Sequence, residues 1–519
     1  MKKVIALSLL FFLIVTAFST STGSDFIFKK GKEYKTQSER FSDVIGKING
    51  NIFRIGFKSG AAYLIKFSGL NLLNEIKLDL KYKSKKMKYE TAFITSGKIV
   101  ILSSFYNGKD HKEYFFYRFF DGDKMEYSSD LKIMGKVSAK NRRNLGDAFV
   151  TFSNDSSKIA VSLYNSGRKK NKERQKVIFS VFNKDLSLLW TGDKALKYRD
   201  KMFIINGSAV DNKGNFYIRG QLWIGKGNRR LSSYERHVLI FNKDDDEPED
   251  ISVKLNKFTI KYMTLNIAAN GDIVIAGFYT PDLTKGIDGS FYLRLDRKTH
   301  EVVSSNYKAF PLNFITQGLE QRTKEKMKKK EEKGKNQMLY NYILKDIIMR
   351  DDGGIILVAE QFYIEERTVY TANGGYSTYY TYYYGDIIVV NINNNGIIQW
   401  NKKIHKYQYT SGSTSRLSYD LGVYDNVIYI IYNDNPANRN LGTLSKLKAY
   451  GARKNSDLIL CSIDKDGNVK KHFIFNSKEE NFLPFGHSAF FDYESGTFYL
   501  ENYLSKKHKL QLGSLRVAN

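Results

Sequence analysis

NGDIVIAGF, residues 270–278, is a two-residue polar turn running straight into alternating β-branched and aromatic positions. Asn-Gly ahead of such alternation marks a strand leaving a tight turn. The unit returns as NGNIFRIGF (49–57), SGKIVILSS (96–104), SSKIAVSL (156–163), KGNFYIRG (213–220), DGGIILVAE (352–360), YDNVIYIIY (424–432) and SGTFYLENY (495–503). Repetition at this period implies stacked copies of one supersecondary unit.

A second hairpin type lies between these copies. It reads AAYLIKFSGLNLLNEIKL (61–78), KVIFSVFNKDLSLLWTG (176–192), DIIVVNINNNGIIQWNKKI (386–404) and DLILCSIDKDGNVKKHFIF (457–475). Two alternating hairpins make four antiparallel strands per unit, the composition of a propeller blade. The expected fold is therefore all-β, a single β-propeller over 25–519 with eight four-stranded blades, or seven if the first unit is a cap. Its ring would be closed by HKLQLGSL (508–515) pairing with DFIFKKGKEY (25–34), which removes free sheet edges. Insertions are expected at 311–341, 365–385 and 435–456. Turns inside hairpins are short and connections between hairpins are long, which crowds the long loops onto one face of a closed antiparallel ring. Loops held on a rigid scaffold are the usual seat of binding.

Composition bears on where the chain works. Residues 1–19 pair Lys2 and Lys3 with the apolar run Val4–Phe18 and offer small residues at Ala17 and Ser19, the pattern of a secretory signal peptide. No later run is long and apolar enough for a membrane helix. The mature chain is expected to be exported, to the periplasm, the envelope or the medium, as a monomer without a transmembrane segment. Cys461 is the only cysteine, so an internal disulfide is excluded and the thiol reads as a buried strand residue.

The chain carries 82 basic and 54 acidic residues, a net charge of +28. Four connections, 165–176, 225–236, 322–335 and 435–456, hold 23 basic and 5 acidic residues, a surplus of 18. Two readings compete: a solvated lysine-rich surface, or a face that binds anions. On the second, Arg168, Lys169, Lys170, Arg229, Arg230, Lys328, Lys329 and Lys330 are the candidate contacts. The segment YTANGGYSTYYTYYY (370–384) holds seven tyrosines in fifteen residues. It reads as an extended hairpin, as a ligand-stacking platform of Tyr370, Tyr376, Tyr379, Tyr380 and Tyr382, or as a self-association element.

Local catalytic signatures are missing from the sequence. Asp464–Asn468 has the dress of a calcium loop, but Gly467 stands at its fourth position instead of the sixth, so it reads as a turn. None of the seven histidines makes an HExxH or Cys/His cluster, and there is no nucleophile elbow or phosphate loop; no metal and no cofactor are expected. Asp147, Asp211, Asp346 and Asp420 are the acids placed to reach a central mouth. The function expected is an exported, non-enzymatic binding or assembly propeller of the cell envelope. It would engage an acidic polysaccharide or a partner protein, not nucleic acid, through its basic, Tyr-rich face. The alternative is a glycan hydrolase or lyase with paired carboxylates at the axial mouth.

FSNDSSKIAVSL (152–163) resembles the repeat of TolB-type propellers. VNINNNGIIQW (390–400) and FNKDLSLLW (182–190) resemble the repeat of quinoprotein-type propellers, which ends in a tryptophan docked on the next blade. With only Trp190, Trp223 and Trp400 in the chain, that resemblance implies the scaffold and carries over no quinone-binding residue. The alternation of hairpin types is also similar to exported propellers of gliding and gut Bacteroidetes.

Overall fold

The computed structural model describes residues 22–23, 26–38, 40–139, 141–142, 145–164, 174–225, 234–281, 286–335, 337–350, 352–370, 374–441, 446–504 and 509–517. The expected signal peptide, 1–19, lies outside them. The described chain is a β-propeller: antiparallel strands account for nearly all of its regular structure, and most are grouped in sheets of four or five.

The repeated hairpins form because their turns can adopt positive φ. Asn49 and Gly50 have φ of 48° and 75°, and Ser96 and Gly97 have 46° and 71°, the two successive left-handed residues of a type I′ turn that matches the twist of the strands it joins. Each repeat then supplies the first two strands of a sheet, and the intervening hairpin supplies the next two. In chain order, sheet 1 begins with Arg40–Ile48, sheet 2 with Lys88–Thr95, sheet 3 with Asp147–Phe152 and sheet 4 with Phe203–Val210. Sheet 5 begins with Thr259–Ile267, sheet 6 with Tyr342–Met349, sheet 7 with Asp420–Tyr424 and sheet 8 with Phe490–Asp492. Sheet 8 takes its third strand from Lys509–Val517 and its next from Phe26–Lys30, in the register Phe26↔Val517 to Lys30↔Gly513.

Burial follows this order. Second strands such as Ile273–Thr280 are buried along their whole length, whereas a fourth strand such as Val302–Ala309 alternates exposed and half-buried positions. A strand covered on both faces has no solvent side, so its sequence is a continuous apolar run. The core is divided accordingly into clusters, each joining one sheet to the next. Phe53 and Leu64 meet Ile99 and Phe120 between sheets 1 and 2, and Leu458 and Phe475 meet Phe498 and Leu515 between sheets 7 and 8. A further cluster joins Ile52 and Phe67 of sheet 1 to Leu510 and Leu512 of sheet 8.

Between sheets 3 and 4, Phe179 contacts Trp190, Phe216 and Phe241. Gly192 leaves room for that ring, since a Cβ there would lie 2.3 Å from it. Trp190 donates from Nε1 to the Gly214 carbonyl in the turn of the next sheet (2.8 Å), and Trp400 does the same to Lys465 (3.0 Å). Two units thus use the docking tryptophan that their sequence resemblance implied.

Among the described residues two α-helices interrupt the strands, α1 (Leu312–Ile315) and α2 (Gln321–Glu332), both in the connection between sheets 5 and 6. Among the described residues no helix is long and apolar enough to cross a membrane. Cys461 is buried, and burial pushes its thiol up to about 11.

Candidate functional site

Chain direction decides which loops share a face. Four sequential antiparallel strands put the first and third turns on one side of the propeller, and put the second turn and the connection to the next sheet on the other. The second side receives the conspicuous insertions: the end of sheet 6 where its second strand stops at Tyr370 and its third starts at Tyr376, the end of sheet 7 between Asp434 and Asp457, and the α1–α2 connection.

The tyrosine-rich segment is a two-stranded ribbon. Ile355–Tyr370 and Tyr376–Ile392, the second and third strands of sheet 6, stay paired well past the sheet, from Phe362↔Tyr384 to Tyr370↔Tyr376. An isolated two-stranded ribbon is marginal in water, so its lower half needs support. Gln408–Thr410 supplies a third strand against Tyr382–Tyr384. Tyr383 stacks on Tyr363 with centroids 4.6 Å apart and planes 8° apart, and it lies parallel to Tyr407 and Tyr409 at 6.4 and 6.0 Å. Rings at 4.6 Å and nearly parallel must overlap, so these tyrosines stand on edge and cover one another's faces. The Tyr383 hydroxyl donates to Glu365 Oε2 (2.8 Å), and that bond pushes it up to about 12.

The upper half has no third strand among the described residues. Tyr370, Tyr376, Tyr379 and Tyr380 are 65, 70, 57 and 46 % exposed. Of the five tyrosines singled out from sequence, these four gather at the tip, whereas Tyr382 sits in the braced half opposite Ile364 and Thr410. Alternation places Tyr379, opposite Arg367, on the other face of the ribbon from Tyr370, Tyr376 and Tyr380. The four do not make one flat platform, and the braced rings that do line up (Tyr363, Tyr383, Tyr407, Tyr409) escaped the sequence reading in this role. Only the strand register could have found them.

The basic candidates are dispersed. Lys328, Lys329 and Lys330 lie on α2, which buries no residue and packs against the cluster between sheets 5 and 6 through Met327. Among the described residues none of the three pairs with a carboxylate. Arg168, Lys169, Lys170, Arg229 and Arg230 lie outside the described residues. In the 435–456 insertion, Arg439 donates from Nε and Nη2 to both oxygens of Asp457 (2.9 and 2.8 Å), which holds its guanidinium above the usual range. Arg439, Asn440, Asn455 and Lys478 line an open cleft of about 690 Å³ beside it.

The four axial acids are not brought together. Asp211 caps a short turn on the opposite side, accepting from the Lys213 and Asn215 amides. Asp346 accepts from the Tyr419 hydroxyl (2.6 Å), Asp420 accepts from the Ala489 amide (3.0 Å), and Asp147 is exposed at the start of sheet 3. Burial raises the Asp346 carboxyl above the usual carboxylate range.

Buried polar groups were instead assembled at positions that sequence spacing does not reveal. Glu360, fully buried, meets Lys345, Lys406 and the Ser418 hydroxyl (2.8 Å). The two lysines hold its carboxyl below the usual range against the opposing effect of burial. Lys345 and Glu90 both occupy β-bulges of innermost strands, where one extra residue re-aims a side chain. Ser104 Oγ lies 2.5 Å from Glu90 Oε1 and 2.8 Å from Glu113 Oε1. One hydroxyl has one proton to give, so the two carboxyls compete for it; burial pushes both upward, while Lys88 Nζ donates to Glu90 Oε2 (3.0 Å). His237 pairs with Asp250 at 2.7 Å, and among the described residues no group of three His, Cys, Asp or Glu could hold a metal ion.

No protein-family model matches the sequence, and no curated protein matches it. Its solved structural neighbours are WD40 and other propeller-type folds. The WD40 domain of SCAP from fission yeast aligns over 97 % of this chain and 98 % of its own, at 8 % identity and a TM-score of 0.42. Prolyl oligopeptidase B from Galerina marginata aligns over 84 % of this chain and 54 % of its own, at 9 % identity and 0.38. The alpha-L-arabinanase of Penicillium chrysogenum, solved with arabinobiose, aligns over 63 % and 94 %, at 10 % identity and 0.32.

Proposed function

We propose that this chain is an exported, non-enzymatic binding propeller of the cell envelope, and that the ribbon of sheet 6 is its docking arm. The observation that carries the reading is the contrast within one hairpin. Its lower half is braced by a third strand and a tyrosine stack, and its upper half holds four tyrosines out in solvent. Large aromatic surface kept in water on a braced support is available to a ligand, and tyrosine presents both a ring face and a hydroxyl to it.

The ligand class favoured is an acidic polysaccharide. Arg367 lies opposite Tyr379 in the ribbon, α2 carries lysines that pair with no carboxylate among the described residues, and the sequence between the second and third strands of sheets 3 and 4 carries Arg168, Lys169, Lys170, Arg229 and Arg230. Sugar rings would stack on the tip tyrosines while their carboxylates meet the cations, so binding weakens as salt screens the charges. The hydrolytic alternative rests on Glu90 and Glu113. Both lie beside one serine hydroxyl within sheet 2, and Glu113 is fully buried and accepts from the Gly146 amide (2.7 Å), just ahead of sheet 3, an arrangement suited to tying the next sheet to sheet 2. The test is retention of the mature protein on an immobilised anionic polysaccharide at low salt, beside a neutral polysaccharide. Selective retention that falls with salt supports the reading; equal or absent retention on both counts against it.

A further inference from the structure

Four arginines of this propeller are matched by an acid. Arg54 meets Glu501, Arg294 meets Asp272, Arg350 meets Asp352 and Arg439 meets Asp457. Arg219 and Arg236, which share the face of sheet 4 turned toward sheet 5, meet none among the described residues. Neutral oxygens hold them instead. Arg219 Nη1 donates to the Met263 carbonyl (2.7 Å), Arg236 Nη2 donates to that of Ile260 (3.2 Å), and Arg236 Nη1 donates to the Gln221 side chain. Carbonyl and amide oxygens orient a guanidinium without cancelling its charge.

The two groups are neighbours. Arg236 pairs in register with Gln221, two residues along from Arg219, and their anchors on the innermost strand of sheet 5 are three residues apart. At about 3.3 Å per residue that sets the anchors within roughly 10 Å of each other. Arg219 reaches toward the axis, because it lies flat against Gly207 on the innermost strand of its own sheet. A Cβ on Gly207 would stand 2.9 Å from Nε. Burial lowers both guanidinium groups from their usual range, Arg236 to about 10. Among the described residues, Asp147, the acid in register with Tyr164 on the neighbouring sheet, forms no ion pair with either. Glu235 and Asp250 point to the other face of the sheet, toward His237.

We infer that the axial side of the junction between sheets 4 and 5 is an oxyanion-binding site, in which Arg219 and Arg236 take a carboxylate- or sulfate-bearing ligand. Two partly desolvated like charges side by side are unfavourable when empty, and a guanidinium is the side chain best shaped to meet an oxyanion through two parallel hydrogen bonds. The inference is independent of the ribbon and stands if the ribbon binds nothing.

The test follows the thermal midpoint as sodium sulfate replaces sodium chloride at constant ionic strength, with a citrate series to separate sulfate from carboxylate ligands. Sulfate also stabilises proteins generally by exclusion from their surface, which gives a steady, unsaturating rise. The site predicts an additional saturating rise in the wild type, lost in Arg219→Gln and Arg236→Gln, which keep only the steady part. In chloride alone these variants should melt at or above the wild type, because each removes an uncompensated charge. Gly207→Ala, which crowds the Arg219 guanidinium, should weaken the apparent anion affinity about tenfold. A wild-type curve with no saturating component would overturn the inference, as would Gln variants that follow the wild type. A wild-type curve without the saturating component overturns the inference even if one variant fails to fold, and either arginine variant alone assigns that component to this junction.

Discussion

Two junctions of the propeller bury arginine in different ways. Between sheets 8 and 1, Arg54 and Glu501 are 1 and 2 % exposed and pair directly. Between sheets 4 and 5, Arg219 and Arg236 are held by neutral oxygens and, among the described residues, by no acid. The first junction joins the two ends of the chain and has its charges balanced from within. On the inference above, the second takes its counter-charge from a bound oxyanion.

The sharpest way to break that comparison is at Glu501. Glu501→Ala strands Arg54 and should cost about 3–5 kcal/mol, whereas replacing the pair together, Arg54→Met with Glu501→Leu, should recover most of it. Denaturant unfolding measures both. A loss below about 1 kcal/mol for the single variant would mean that the first junction is no better balanced than the second.

Between sheets 2 and 3 the excess is acidic, and pH exposes it. Burial raises the Glu113 carboxyl above its ordinary 4.5, so the folded chain holds a proton that the unfolded chain releases more readily. The proton stabilises the fold at low pH, and stability falls as pH rises from the unfolded value through the folded one. Glu113→Gln keeps the shape without the charge. Its unfolding free energy should therefore match the wild type below about pH 4.5 and exceed it increasingly toward neutrality, by about 1 kcal/mol, the scale of one hydrogen bond. Parallel pH profiles would remove the Glu113 proton from the account.

The smallest effect on stability is expected at α2. Replacing Lys328, Lys329 and Lys330 with serine touches no ion pair among the described residues and should change unfolding by less than about 0.5 kcal/mol. It should nevertheless flatten the salt dependence of retention on an anionic polysaccharide. An unchanged salt profile would confine binding to the ribbon.

These features differ in how far sequence alone reveals them. The hairpins were legible because a period-2 pattern beside an Asn-Gly or Ser-Gly turn is local, and the tyrosine ribbon was legible as a compositional anomaly. The buried charge groups were not. Glu90 and Lys345 sit at bulges, which break the alternation that reveals facing, and Arg54 and Glu501 belong to opposite ends of the chain. Arg219 and Arg236 look like ordinary strand cations until the register sets them on one face without an acid.

The central claim is that the unbraced tip of the ribbon binds ligand. Its most direct test is the dissociation constant of an anionic polysaccharide for the triple variant Tyr376→Ser, Tyr379→Ser, Tyr380→Ser beside the wild type. At about 1 kcal/mol per aromatic contact, the account predicts a loss of about a hundredfold with the thermal midpoint unchanged, because these side chains support nothing in the core. An affinity equal to that of the wild type would contradict it.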